Sequence, residues 1–180
     1  VVLAVADGIG GEAGGATASR LALSAFDTQF YGNGKGADDM IESARAAINA
    51  AAARANQTLL DVAAHRPELT SMGCTLAGIC LTPAGYLVFN AGDSRAYRFR
   101  QGALRALTQD DSLVGLAVRS GCMTEEEASV SSKRRTILNC LGSSDFTLSV
   151  QAGPRLIPGD VLMVCSDGLH GILSHECIEE

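Results

Sequence analysis

The run VVLAVAD, Val1 to Asp7, is continuously apolar and rich in β-branched residues, the pattern of a strand buried on both faces. It closes on Asp7-Gly8, and a second run of the same kind, VLMVCSD from Val161 to Asp167, closes on Asp167-Gly168. A third, VFNAG, leads into Asp93-Ser94. An Asp-Gly pair alone often marks nothing more than a turn. An aspartate at the end of a core strand is partly desolvated, however, and carboxylates gathered within a few ångströms repel by about 4 kcal/mol per pair at an effective dielectric of 20. The chain has 3 histidines and no lysine close to these strand ends, although Arg95 stands beside Asp93. A hard divalent cation with oxygen ligands would offset the repulsion, and the flanking glycines let a backbone carbonyl join the shell. Mg²⁺ or Mn²⁺ suits such ligands. Turn and metal site both stay open on these residues alone.

The rest of the chain reads as one domain of mixed helix and strand. After Asp7 come Gly8, Gly10, Gly11, Gly14 and Gly15, then apolar residues at Ala18, Leu21, Ala22, Ala25 and Phe26 with helical spacing. A loop, GNGKGADD from Gly32 to Asp39, leads to an alanine-rich helix. Its stripe is Met40, Ile41, Ala44, Ala47, Ile48, Ala51, Ala55, Leu59 and Val62, and Pro67 ends it. CTLAGICL and YLVFNAG (Cys74 to Gly92) form a β-hairpin pattern, and RAYRFR with LRAL (Arg95 to Leu107) a second pair, its first strand alternating inside and outside. The segment from Thr108 to Gly142 is more polar and reads as an inserted flap, with a short helix at Thr124 to Ala128 capped by threonine. Strands resume at Phe146 to Ala152 and Val161 to Asp167, and Ser174 caps a last helix. A chain that opens inside a core strand and closes in the first turn of a helix is expected to be part of a longer domain.

Several chemistries fit poorly. A net charge of −6 argues against a nucleic-acid backbone as partner. No stretch of 18 apolar residues offers a membrane span, and the 6 cysteines lack a C-x-x-C pair, as expected for a reducing cytoplasm. The Cys and His spacing holds no zinc ligand pair. Gly8-Ile9-Gly10-Gly11-Glu12-Ala13 matches G-x-G-x-x-A between strand and helix, but Asp7 and Glu12 would repel a pyrophosphate, and a second helix follows where a strand is required. No G-x-S-x-G elbow accompanies His65, His170 or His175, which read as surface or loop residues.

Five segments in order carry a family resemblance: ADGIGGEAGGATAS (Ala6 to Ser19), SMGCTL (Ser71 to Leu76), NAGDSRAYRFR (Asn90 to Arg100), LTQDDSLV (Leu107 to Val114) and PGDVLMVCSDGL (Pro158 to Leu169). The chain resembles the metal-dependent protein phosphatases of type 2C, and TEEEA in the flap is similar to the bacterial branch. The resemblance implies an α+β fold, an αββα sandwich of two antiparallel sheets flanked by helices. As given, the sandwich would be incomplete at both ends. One domain covers 1–180, with a flap at about 108–142.

It further implies that Asp7 bridges two metal ions, that Gly8 offers a backbone carbonyl to one and that Asp167 holds the other. Asp93 and Asp167 would bind a third, weaker ion. Asp7 and Asp167 are the implied catalytic residues, with Mn²⁺ or Mg²⁺ as cofactor. A metal-bridged water would attack phosphoserine or phosphothreonine of a protein substrate, itself the product of a Ser/Thr kinase. A cytoplasmic monomer in signalling is expected. Alternatives are a pseudophosphatase that binds partners and a partner-switching phosphatase of the same fold. Three positions depart from the family pattern: Ile9 stands where methionine or histidine is common, Ser131-Ser132 where a His-Pro pair is, and Asn139 where an arginine is. An N-terminal strand with a phosphate-binding arginine and a C-terminal Asp-Asn motif have no counterpart in Val1 to Glu180.

Overall fold

A computed structural model describes residues 1–31 and 41–180, apart from the side chain of Glu12. In chain order the elements are β1 (Val2–Val5), β2 (Gly8–Ile9), α1 (Gly11–Phe30), α2 (Ile41–His65), β3 (Gly73–Cys74), β4 (Leu76–Thr82), β5 (Gly85–Ala91), β6 (Arg95–Arg100), β7 (Ala103–Ala106), α3 (Leu113–Arg119), α4 (Glu125–Val130), β8 (Ser149–Gly153), β9 (Val161–Cys165), α5 (Asp167–His170) and α6 (His175–Glu179). A four-stranded sheet runs β1-β4-β5-β8, a three-stranded sheet runs β7-β6-β9, and β2 with β3 makes a short ribbon. Every ladder is antiparallel. The expected αββα sandwich is thus present, with α1 and α2 over the larger sheet and α6 beside the smaller one. The loop Gly32 to Asp39 and Met40 lie outside the described residues.

The hairpin β4–β5 is buried along nearly its whole length because it is covered twice. Alternation with period two sends Cys80, Leu87 and Phe89 to the helices, and Ile79, Tyr86 and Val88 to Ala96, Leu162 and Val164 of the second sheet. Helices α1 and α2 meet the sheet and each other through Ala18, Ala22, Ala44, Ala51, Ala52 and Ala55, all fully buried, so small side chains set a close approach. Phe26 stacks on Phe89 at 5.2 Å between ring centroids.

The strand expected to be buried on both faces behaves differently. β1 is outermost in its sheet among the described residues, and Leu3 is 38% exposed. Val2 and Ala4 pack on the helical side, whereas Leu3 points to the layer where the narrower sheet offers only β9 for cover. The β6 strand also departs from simple in-and-out alternation. Ala96, Arg98 and Arg100 share the inward face, while Tyr97 on the other face is fully buried beside His175.

Within 108–142 the sequence pattern shows α4 but not α3. The Thr124–Glu127 capping box starts the first, and the Ser112 hydroxyl, accepting from the Gly115 amide, starts the second. The segment returns to the core at Leu141, which exchanges backbone hydrogen bonds with Cys74. β8 begins at Ser149, later than expected, because Phe146 and Leu148 turn toward the helix-side core instead of joining the ladder. The cysteines are free, and among the described residues no helix is long and apolar enough to cross a membrane.

Candidate metal centre

The fold brings Asp7 and Asp167 together from different sheets. Asp7 lies between β1 and β2, its amide donating to the Thr75 hydroxyl (3.1 Å) while its carbonyl accepts from the Thr75 amide (2.9 Å). Asp167 follows β9 as the first residue of α5, with Ser166 as N-cap. The two carboxyl groups are close enough for Asp167 to act on the Asp7 carboxyl. Burial, reinforced by Asp167, pushes the Asp7 carboxyl above the usual carboxylate range. Asp93 follows Gly92 in the turn from β5 to β6, and burial, then the charges of Asp110 and Asp167, push its carboxyl up to about 6.

No cation answers these carboxylates among the described residues. Arg95, the cationic neighbour visible in the sequence, turns away to Asp110, donating from Nε (2.8 Å) and Nη2 (2.7 Å) to its two oxygens. Its remaining nitrogen donates to the Tyr97 hydroxyl at 3.2 Å. His170 does not supply charge either. Far from being a surface histidine, it is half-buried with Nε2 unpartnered, and burial together with Arg95 depresses its pKa. The donor set is therefore hard oxygen with uncompensated negative charge, which suits Mg²⁺ or Mn²⁺. Asp7 and Asp167 form a pair with Asp93 set behind them, and no group of three or more ligating side chains converges among the described residues.

Gly8, implied as a carbonyl donor, sits in the β2–β3 ribbon opposite Cys74 and against Gly15 of α1. An open depression of about 410 Å³ in front of Asp7 is lined by Gly8, Gly11, Gly15, Ala16 and Ser19, leaving the carboxylate approachable. Of the departing positions, Ile9 pairs with Gly73, Ser131 ends α4, and Asn139 acts as a connector. The Asn139 amide donates to Asp111 (2.7 Å) and to the Thr147 carbonyl (2.9 Å), and its own oxygen accepts from the Thr147 amide. Asp111 in turn accepts from the Gly92 amide at 3.3 Å, next to Asp93.

Thr75 is a positioning residue that spacing alone does not reveal. Besides holding Asp7, its hydroxyl shares a buried 2.7 Å hydrogen bond with Ser94, so one side chain ties the Asp7 backbone to the turn that carries Asp93. Thr75→Val keeps the volume and leaves the Asp7 amide and Ser94 hydroxyl short of a partner, an expected cost of about 1–3 kcal/mol in urea denaturation. Thr75→Ser, which keeps the hydroxyl, is expected to lose less than half as much. Equal losses in the two variants would show that the hydroxyl positions nothing.

The family model for protein phosphatase 2C matches residues 1–177. The serine/threonine protein phosphatase PstP of Mycobacterium tuberculosis is 33% identical over 99% of the chain, which spans only 34% of that relative's length. The catalytic domain of a serine/threonine protein phosphatase PstP, solved in complex with two manganese ions, superposes with a TM-score of 0.81 at 32% identity, over 99% of this chain and 72% of that one. The serine/threonine phosphatase of S. agalactiae superposes with a TM-score of 0.89 at 26% identity, covering 99% and 72% of the two chains.

Proposed function

The chain belongs to the protein phosphatase 2C family, and from that membership we propose a metal-dependent phosphatase that hydrolyses phosphoserine and phosphothreonine in proteins. The observation that carries the reading is the Asp7–Asp167 carboxyl pair, which no cationic side chain among the described residues neutralises, Arg95 being paired with Asp110. A partner-binding module has no chemical use for such a pair, which costs the fold stability unless a cation is held there.

Asp7, the Gly8 carbonyl and Asp167 would hold two divalent ions. Asp93 and Asp167 would offer a third, weaker position. The two manganese ions in the PstP catalytic domain support Mn²⁺ as the ion, with Mg²⁺ as the alternative. When bound, the ions supply positive charge against the phosphoryl oxygens and acidify water. The protein's own part is to fix that geometry. Thr75 holds the Asp7 backbone, the Arg95–Asp110 pair and Asp111 hold the strand and turn around Asp93, and the glycine-lined depression keeps side chains out of the substrate's path. Its substrates would be phosphoproteins made by a Ser/Thr kinase, and the protein would act as a cytoplasmic monomer.

The test is hydrolysis of a phosphothreonine peptide by the full protein. Activity should require Mn²⁺ or Mg²⁺ and vanish with a chelator. Turnover that persists in excess chelator would overturn the reading.

A further inference from the structure

The strongest feature outside the metal centre is an arginine-lined cleft at the other end of the sandwich. It has a volume of about 200 Å³ and lies where the two sheets splay apart, lined by Tyr86, Arg98, Arg100, Arg105, Gln151 and Gly153 among others. Arg98 and Arg105 are directly opposite on the β6–β7 ladder, so their side chains leave the same face. That face is the inward one, which Ala96 occupies two residues earlier with complete burial. Arg98 is half-buried and Arg105 exposed at the rim, and like charges facing each other on a ladder destabilise the sheet unless something neutralises them.

The described residues neutralise only one of the three arginines. Arg100 donates to both oxygens of Asp160, at 2.7 and 2.6 Å. Arg98 feels the same carboxylate only at longer range. Its Nη1 reaches the Tyr86 hydroxyl at 3.3 Å, and its Nε is buried without any hydrogen-bond partner. Among the described residues, Arg105 has no carboxylate within ion-pair distance. The Tyr86 ring lies where a Cβ of Gly153 would be, so the hydroxyl is held at the cleft wall beside Arg98. The result is about two unmatched positive charges, an orphaned N–H donor and a phenol around a space that holds several waters.

We propose that this cleft is a second, non-catalytic oxyanion site that takes a phosphoryl dianion between Arg98 and Arg105. A phosphoryl group carries about −1.5 to −2 at neutral pH and offers three acceptor oxygens, which matches two guanidinium forks where a carboxylate would satisfy one. Arg98 lies three residues along β6 beyond Arg95, roughly 10 Å at strand rise, and Asp93 lies before that strand in the turn from β5, so the site is separate from the metal centre and stands whether or not that centre turns over. The dianion has two sources, inorganic phosphate or a phosphoryl group borne by a protein segment.

The test follows the arginine Nε–H resonances of the full, Mg²⁺-loaded protein by NMR. One arm titrates inorganic phosphate, the other a phosphonate peptide whose P–C bond is not hydrolysed. The Arg98 and Arg105 signals should shift saturably, with a midpoint of about 1 mM for phosphate, and Arg105→Gln should weaken the response at Arg98 at least about tenfold. Tighter response to the peptide assigns a protein-borne group, and equal or weaker response assigns free phosphate. Absence of a shift with both probes, or an equal shift with sodium chloride at matched ionic strength, overturns the proposal. As a second measurement, phosphate should raise the melting temperature of the wild type and not that of Arg105→Gln; an identical rise in both counts against the site.

Discussion

Asp7→Asn is expected to lower metal-dependent hydrolysis of a phosphothreonine peptide by roughly 10²–10³-fold or more, as when a preorganised electrostatic group is removed from a reacting site. The same substitution should raise the melting temperature of the protein held in chelator. Its carboxyl is pushed up by burial and by Asp167, so the ionised form weakens the native state. That cost is absent below the carboxyl's unfolded value, grows as pH rises toward the raised native value, and is complete above it. The gain from asparagine should therefore rise with pH and fade toward pH 4. Thermal unfolding across that range, with and without Mn²⁺, checks both halves. A variant that is no more stable than wild type in chelator would remove the electrostatic argument, and one that stays fully active would remove the catalytic one.

The second large effect concerns Gly8. A Cβ there would fall on the backbone of Gly15, and a Cβ on Gly15 would meet the backbone of Gly8 at 2.8 Å. Backbone is on both sides of the contact, so no rotamer change relieves it. Gly8→Ala is expected to cost about 3 kcal/mol or more, at the upper end for overpacking, and to shift Asp7. Gly168, the glycine of the other Asp-Gly pair, meets only the Ser166 hydroxyl at 3.5 Å and lies inside α5. Gly168→Ala should be neutral or stabilising by up to about 1 kcal/mol. Urea denaturation of the two variants side by side gives the comparison, and equal losses would mean that the β2–α1 contact is not the constraint.

Two Asp-Gly pairs that look alike in the sequence thus hold their glycines for different reasons. The position of the aspartates at strand ends was legible because a strand's end is a local pattern, and so were the β4–β5 hairpin and the threonine cap of α4. What was hidden depends on contacts between distant positions. Thr75 reads as an ordinary strand residue until Ser94 and the Asp7 amide arrive from elsewhere in the chain. The alternation around Arg98 does not say which face of its strand is inside, because only packing against Val88's sheet decides it. His170 reads as a surface histidine until burial and Arg95 close around it. Helix α3 was missed because its cap, Ser112, is held by a bridge to Ile137 rather than by a run of apolar periodicity.

Asp7 leaves the four-stranded sheet and Asp167 the three-stranded one, at opposite extremes of the described chain. An ion gripped by both would act as a staple across the seam of the two layers. It would close a loop almost as long as the chain itself, the situation in which a cross-link removes the most freedom from the unfolded ensemble. Metal supply would then govern not only turnover but how long the two layers stay joined, and starvation for the ion would register in the cell as loss of the protein itself.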